Sequence, residues 1–351
     1  MRITKHLLDH MVHCYCAGSL IIDGVPHAVL AGEDRGAACY AYAAPDFTQR
    51  EALWENRGGT MCLIPLPGRD GEFLAVENFF PVFQSETAKL VWGRKEAGQW
   101  VLRDFLSLPY VHRFDILTSA GRQYLFAATL CTSKQHQDDW SDPGALYACP
   151  LPDDLTQTPR PERLLGGMVR NHGYWRGTWE GRQAAFTACD SGVYVSLPPL
   201  APEEGWAVQH LLDGPVSDIA LCDIDGDGLD EMALISPFHG DALTIYHQKN
   251  GGWEPVFQLT APFAHALWGG TLLGRPAFLV GARRGDCALS LIRWDADRGF
   301  SVTALDHGGS SNVSVFSLPG QDVVVSANHT AGEAAVYVLE DVPCETSPVT
   351  I

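Results

Sequence analysis

Helical periodicity is almost missing from this 351-residue sequence. Apolar residues rarely recur at three- and four-residue spacing. They come in short runs broken by Gly, Asp and Pro, which predicts a mostly β protein. No apolar run approaches the ~20 residues that span a bilayer. The opening MRITKHLLDHMVHCYC lacks the h-region and cleavage site of a signal peptide, so the expectation is a cytoplasmic protein without membrane contact. The ten cysteines include no CxxC pair, and only Cys14 and Cys16 are close together. That spacing indicates neither a zinc ribbon nor a disulfide framework. Positive charge is scarce, at 24 basic against 42 acidic residues and a net −18, so a phosphate backbone would be repelled over most of the surface and nucleic acid is not an expected partner. There is no G-x-S-x-G elbow and no dinucleotide-binding glycine pattern, so neither a serine nucleophile nor a nucleotide cofactor is expected.

What is present is a repeat. Strand, short turn, strand recurs as HCYCAGSLIIDGVPHAVLAGE at His13, TMCLIPLPGRDGEFLAVEN at Thr60, HRFDILTSAGRQYLFAATL at His112, HGYWRGTWEGRQAAFTACD at His172, SDIALCDIDGDGLDEMALIS at Ser217, HALWGGTLLGRPAFLVGAR at His265 and NVSVFSLPGQDVVVSAN at Asn312. The starts are 45 to 60 residues apart, the length of a four-stranded propeller blade rather than of a solenoid turn. The reading is an all-β, seven-bladed β-propeller occupying residues 1–351 as one domain. Segments such as WVLRDFLSL and WAVQHLLDG precede the hairpins and read as outermost strands. RITKHLLDH, near the start, has the same form, so it is expected to pair with AAVYVLEDV, Ala334 to Val342, and close the last blade.

One turn carries three aspartates and two glycines in six residues: CDIDGDGLDE, from Cys222. An EF-hand would need a carboxylate at the twelfth position from Asp223, but that position is Leu234, inside a strand. The side chains of Asp223, Asp225, Asp227 and Glu231, with the Leu229 carbonyl, instead offer hard oxygen ligands for one structural Ca²⁺. An Asp/Gly turn without metal is the plain alternative. With this turn and the blade repeat together, the chain resembles the FG-GAP/VCBS-type propellers, whose blades carry D-x-D-G-D-G-x-x-D turns. One turn keeps the pattern here, so the resemblance implies one calcium rather than seven. From Val216 to Trp294, with SPFHGDALTIYH and AHALWGGTLLGRPAFLVGARRGDCALSLIRW, the sequence also resembles the propeller domain of the aldos-2-ulose dehydratase and 1,5-anhydrofructose dehydratase group. That resemblance implies elimination of water from a keto sugar.

Residues that start innermost strands face the central channel. Here they are His13, Thr60, His112, His172, Asp218, His265 and Asn312, four histidines among seven in a chain holding 13. Glu33, Asn78, Asp190, His239, Arg283 and His329 form a second tier where the following strands end. Converging imidazoles can hold a transition metal or move protons near neutral pH. Oligogalacturonate lyase, another propeller, resembles this arrangement in pairing a histidine cluster with manganese. The expected ligands of a channel Mn, Zn, Ni or Fe are His112, His172 and His265. Acid–base and enolate-stabilising roles fall to His239, His172, His13 and Arg283, and substrate contacts to Glu33, Asn78, Tyr174, Trp175, Asp190, Trp268, Asn312 and His329. The activity expected is a carbon–oxygen lyase on a keto sugar or keto glycoside, with a small carbohydrate as partner. The alternatives are a glycan- or protein-binding propeller with one calcium, and a glycoside hydrolase using Glu33 and Asp190, for which the carboxylate separation decides.

Overall fold

The computed structural model of the protein describes residues 1–81 and 84–341. Among the described residues there are seven four-stranded antiparallel sheets and no helix of α type, and the sheets form the ring of a seven-bladed propeller. The innermost strands are Cys14–Ile22, Leu63–Pro65, Val111–Ser119, Gly173–Trp179, Asp218–Cys222, Ala264–Leu272 and Ser310–Leu318, for blades 1 to 7. The expected order of blades is thus borne out. In blade 2 the start differs: Thr60 is fully buried but lies in the segment ahead of the strand.

Local chemistry explains the hairpins. In blades 1, 3, 4 and 6 the first two strands are joined by Asp23-Gly24, Ala120-Gly121, Glu180-Gly181 and Leu273-Gly274, with φ positive at both residues of each pair. Such two-residue turns match the right-handed twist of the strands they join, and glycine makes the second position cheap. The second strand of each blade is buried on both faces, as in Val25–Gly32, so it reads as a continuous apolar run. The apolar core lies between blades. Leu74, Val76 and Leu90 of blade 2 pack with Phe114, Ile116 and Leu125 of blade 3, for example.

Blade 7 takes its fourth strand from the other end of the chain. Arg2–His10 pairs antiparallel with Glu333–Glu340, from Arg2 opposite Glu340 to His10 opposite Glu333, with a bulge between Leu7 and Asp9. The closure expected from the sequence is present; Val342, the last residue of the expected partner, lies outside the described residues. Arg2 pairs with Glu340, and Lys5 Nζ lies 2.9 Å from Asp306 and 2.8 Å from Glu333. Beneath the strand, Tyr337 donates to Asp306 over 2.6 Å and accepts from Asn328 Nδ2 over 2.9 Å. Deleting residues 2–10 leaves Glu333–Glu340 as an open edge and removes these charge pairs. The truncated protein is expected to melt at least about 10 °C lower and to scatter light on heating, read by calorimetry and turbidity.

Candidate functional site

Three of the four expected channel histidines converge. His112 and His172 have ring centroids 4.5 Å apart, and His172 and His265 are 5.0 Å apart. His239 joins them, 5.1 Å from His172 and 5.0 Å from His265. The ring takes part in setting each side chain. His172 Nδ1 donates to the Ser217 carbonyl of the next blade over 3.0 Å, and His265 Nδ1 donates to the Ser311 carbonyl over 2.7 Å. Both rings therefore carry the proton on Nδ1 and present Nε2 as a lone pair.

Bulges do the aiming. The inner strands of blades 1, 3, 6 and 7 each slip register by one residue at their start, around Tyr15, His112, His265 and Ser311. An extra residue at a strand end turns its side chain out of the ladder. This revises the expected tier. The residue of blade 1 at this level is Tyr15, whose hydroxyl lies 3.2 Å from His265 Nε2 and 3.4 Å from His112 Nε2. In blades 5 and 7 the level is occupied by Ser217 and Ser311, while Asp218 and Asn312 fall one residue further along the channel.

His239 stands on the Pro237-Phe238-His239-Gly240 turn with φ +49, a conformation that costs a non-glycine residue energy and is retained where the surroundings impose it. Its amide donates to Ser217 Oγ over 3.0 Å, and Gly240 closes the turn on the Pro237 carbonyl over 2.8 Å. A Cβ at Gly240 would come within 2.3 Å of the Ser236 carbonyl oxygen, so only glycine fits. Phe238 stacks on His239 at 4.0 Å, and Trp140 packs against Phe238 at 5.5 Å, so the polar 136–144 loop contributes to a roof of aromatic rings.

Burial holds the imidazoles of His112, His172 and His265 well below the usual histidine range, and neighbouring rings and Arg113 add to the effect. His239 is lowered to about 3 by burial first and by Arg283 second. All four rings are neutral at pH 7. The Nε2 atoms of His172 and His239 are buried without a hydrogen-bond partner. His172, His239 and His265 can each bring one nitrogen within 4.8 Å of the others. The group that meets this spacing has His239 in the place expected for His112, whose ring lies 4.5 Å from that of His172 and whose Nε2 lies 3.4 Å from the Tyr15 hydroxyl.

A second cluster adjoins it. His329 Nε2 donates to Glu33 over 2.7 Å, and Arg283 donates to His329 Nδ1 over 2.8 Å. His13 stacks on His329 at 4.9 Å and reaches Asp34 over 2.8 Å. The expected contacts Glu33, Arg283, His13 and His329 are thus brought together. Asn78 is not; its side chain turns to the Thr87 carbonyl. Asp190 pairs with Arg170 over 3.1 Å, so Glu33 and Asp190 are held by different partners. Tyr174, Trp175, Trp268 and Asn312 line a separate cavity further along the inner strands.

The aspartate loop of blade 5 brings Asp223, Asp225 and Asp227 oxygens within 4.8 Å of one another. The amides of Gly226 and Gly228, at φ +79 and +93, donate to the Asp223 carboxylate over 2.8 and 3.0 Å. Glu231 is buried, accepts from the Ile224 amide over 2.9 Å and lies 2.6 Å from His247 Nδ1. Sequence reasoning gave His247 no role; here it comes within 3.9 Å of Asp225 and 3.8 Å of Asp227 as well. Its only sequence signal is its place on the strand that follows the loop's own hairpin.

No protein-family profile matches the chain, and no curated protein matches it in sequence. The FG-GAP/VCBS and dehydratase resemblance therefore rests on the quoted segments alone. In three dimensions the chain is similar to a candidate 6-phosphogluconolactonase from Bacteroides uniformis, with a TM-score of 0.56 and 11% identity over 85% of this chain and 87% of that one. It is also similar to Sqt1 of Saccharomyces cerevisiae, with a TM-score of 0.54 and 10% identity over 96% and 98% of the two chains. At these identities the likeness shows the propeller fold.

The neutral rings make stability depend on pH. An unfolded histidine titrates near 6.5, whereas the folded rings resist protonation, so below about pH 6.5 the unfolded chain binds more protons and stability is lost. Asp218, raised to about 7 by burial, works in the opposite direction and offsets roughly the whole of one ring's effect. Chelator-treated protein is expected to lose stability from pH 7 to pH 5. His239→Gln should lose about 1.4 kcal/mol less per pH unit below pH 6, measured by urea denaturation.

Proposed function

We propose that the buried histidine tier holds a divalent transition metal and serves carbon–oxygen lyase chemistry on a keto sugar or keto glycoside. The observation that carries this reading is the set of free nitrogens: neutral rings, two with Nδ1 fixed to backbone carbonyls, with Nε2 of His172 and His239 buried and unpartnered. Burying such acceptors without a partner is costly, and imidazole with a fixed second nitrogen suits Mn, Zn, Ni or Fe. His172, His239 and His265 would hold the ion, which when bound supplies Lewis-acid polarisation of a substrate oxygen. The keto-sugar class is supported by the resemblance between Val216 and Trp294.

Tyr15 has one hydroxyl proton for two neighbours, and donating it to His112 leaves His265 Nε2 free. Tyr15 and His112 then act as a relay: the Tyr15 oxygen takes the proton beside the substrate carbonyl as its own hydroxyl proton passes to His112 Nε2. The Arg283 cation stabilises the negative charge that develops on the carbonyl oxygen. The carbon–oxygen bond at the β position breaks with its electron pair on the departing oxygen, which takes up the proton, leaving a double bond conjugated to the carbonyl. His239, expected as the base, becomes a ligand in this assignment.

A second reading, a non-catalytic binding propeller with a closed metal centre, is favoured by the burial of His112, His172 and His265, which are 1–2% exposed. The two are separated by one set of variants. His172→Gln and His265→Gln should each lower bound transition metal at least tenfold by elemental analysis, whereas His136→Ala should not. On the lyase reading His112→Gln keeps the metal but loses at least a hundredfold in turnover, followed as the ultraviolet absorbance of an α,β-unsaturated ketone. Full turnover in His112→Gln, or none in the metal-loaded wild type on any keto sugar, leaves the binding propeller.

For the blade 5 loop the proposal is a structural Ca²⁺ on Asp223, Asp225, Asp227, the Leu229 carbonyl and Glu231. Saturating calcium should then stabilise the wild type by about 2–3 kcal/mol, and Asp225→Ala should abolish that gain, as read from melting curves with calcium and with chelator.

A further inference from the structure

Beyond the histidine tier, the inner strands continue into a cavity of about 450 Å³, lined by none of the four tier histidines. Its walls bring together Arg113, Asp115, Arg176, Asp218, Trp175 and Trp268. The size is that of a small-molecule pocket. We propose that this cavity binds a neutral, polyhydroxylated ligand of monosaccharide size, and the proposal is independent of the metal and lyase reading of the tier.

The argument starts from Arg113. It is 8% exposed, and among the described residues its one hydrogen bond is a long one, 3.4 Å from Nη1 to the Met61 carbonyl. A guanidinium has five donors, so most of its capacity faces the cavity unmatched. The nearest carboxylate is Asp218, with Oδ2 4.0 Å from Arg113 Nη2, beyond hydrogen-bond distance. Asp218 is also buried, at 6%, and uses Oδ1 on the Ile219 amide over 2.9 Å. The gap has a definite shape: an oxygen about 2.8 Å from both atoms fits between them, accepting from the guanidinium and donating to the carboxylate. A hydroxyl group does both at once.

Charge selects against ions. Two arginines and two aspartates line the cavity, and Asp115 is already held by Arg176 over 2.9 Å. An entering anion would gain Arg113 but meet Asp218, while a cation would meet the reverse. A neutral polyol pairs with both signs. Burial raises the Asp218 carboxyl to about 7, which lets it act as donor or acceptor to a hydroxyl. Trp175 and Trp268, partly buried in the wall, offer flat apolar faces suited to the C–H face of a sugar ring.

Saturation-transfer NMR and tryptophan fluorescence test this on the full-length protein. The probes are glucose, fructose, mannitol and myo-inositol, against gluconate and glucose 6-phosphate. At least one neutral probe should bind, and at least tenfold tighter than either anion. Arg113→Met, Asp218→Asn and Trp268→Leu should each weaken it tenfold or more, with circular dichroism confirming the fold, whereas His239→Gln should leave it unchanged. Trp268→Leu keeps the test valid if a buried-charge variant fails to fold. No binding by any neutral probe, anions bound as tightly as polyols, or unchanged binding in the folded variants would overturn the proposal.

Discussion

Everything at the axis depends on closure of the ring by Arg2–His10 against Glu333–Glu340. A blade is a thin sheet whose apolar faces are covered only by its neighbours. Seven of them hold a fixed spacing only if none can splay outward. The spacing matters at angstrom scale, because His172 is fixed by a carbonyl of blade 5 and His265 by a carbonyl of blade 7. The imidazoles are thus positioned by the blade next door. A change in ring diameter would release both nitrogens together.

Burial then sets the chemistry. Rings at this depth stay neutral, which costs the protein stability in acid but keeps their lone pairs available at pH 7. Fixed positive charge lies on either side, Arg283 near the mouth and Arg113 further along the channel. Both disfavour a proton on the rings between them. The site is therefore biased toward neutral rings whose lone pairs accept hydrogen bonds or bind a metal ion, and away from imidazolium.

The fold was legible because the blade repeat is written in hairpins whose turns need glycine, and because the first strand shares its form with the other outer strands. The site was legible only as a neighbourhood. Counting from strand starts placed His13 in the inner tier, yet a one-residue bulge puts Tyr15 there instead. A bulge likewise leaves Asn312 one level down the channel, and Asp218 falls at that level in a strand without one. Bulges leave no period in the sequence, so register along a strand could not be read to the residue. Arg113 was passed over because it follows a more conspicuous histidine. His247 was passed over because its partners lie across a hairpin.

The closing pair of strands also bears on how the protein is made. Arg2–His10 leaves the ribosome before its partner, which follows more than 300 residues later. At ordinary synthesis rates that interval is roughly 15 to 70 s. Throughout it the earlier strand has no ladder to join, while successive blades can collapse against one another. The polar make-up of RITKHLLDH, with Arg2, Lys5, His6, Asp9 and His10, suits a segment that must wait in water. Nascent-chain solubility and the final seal of the ring are thus demands placed on the same nine residues.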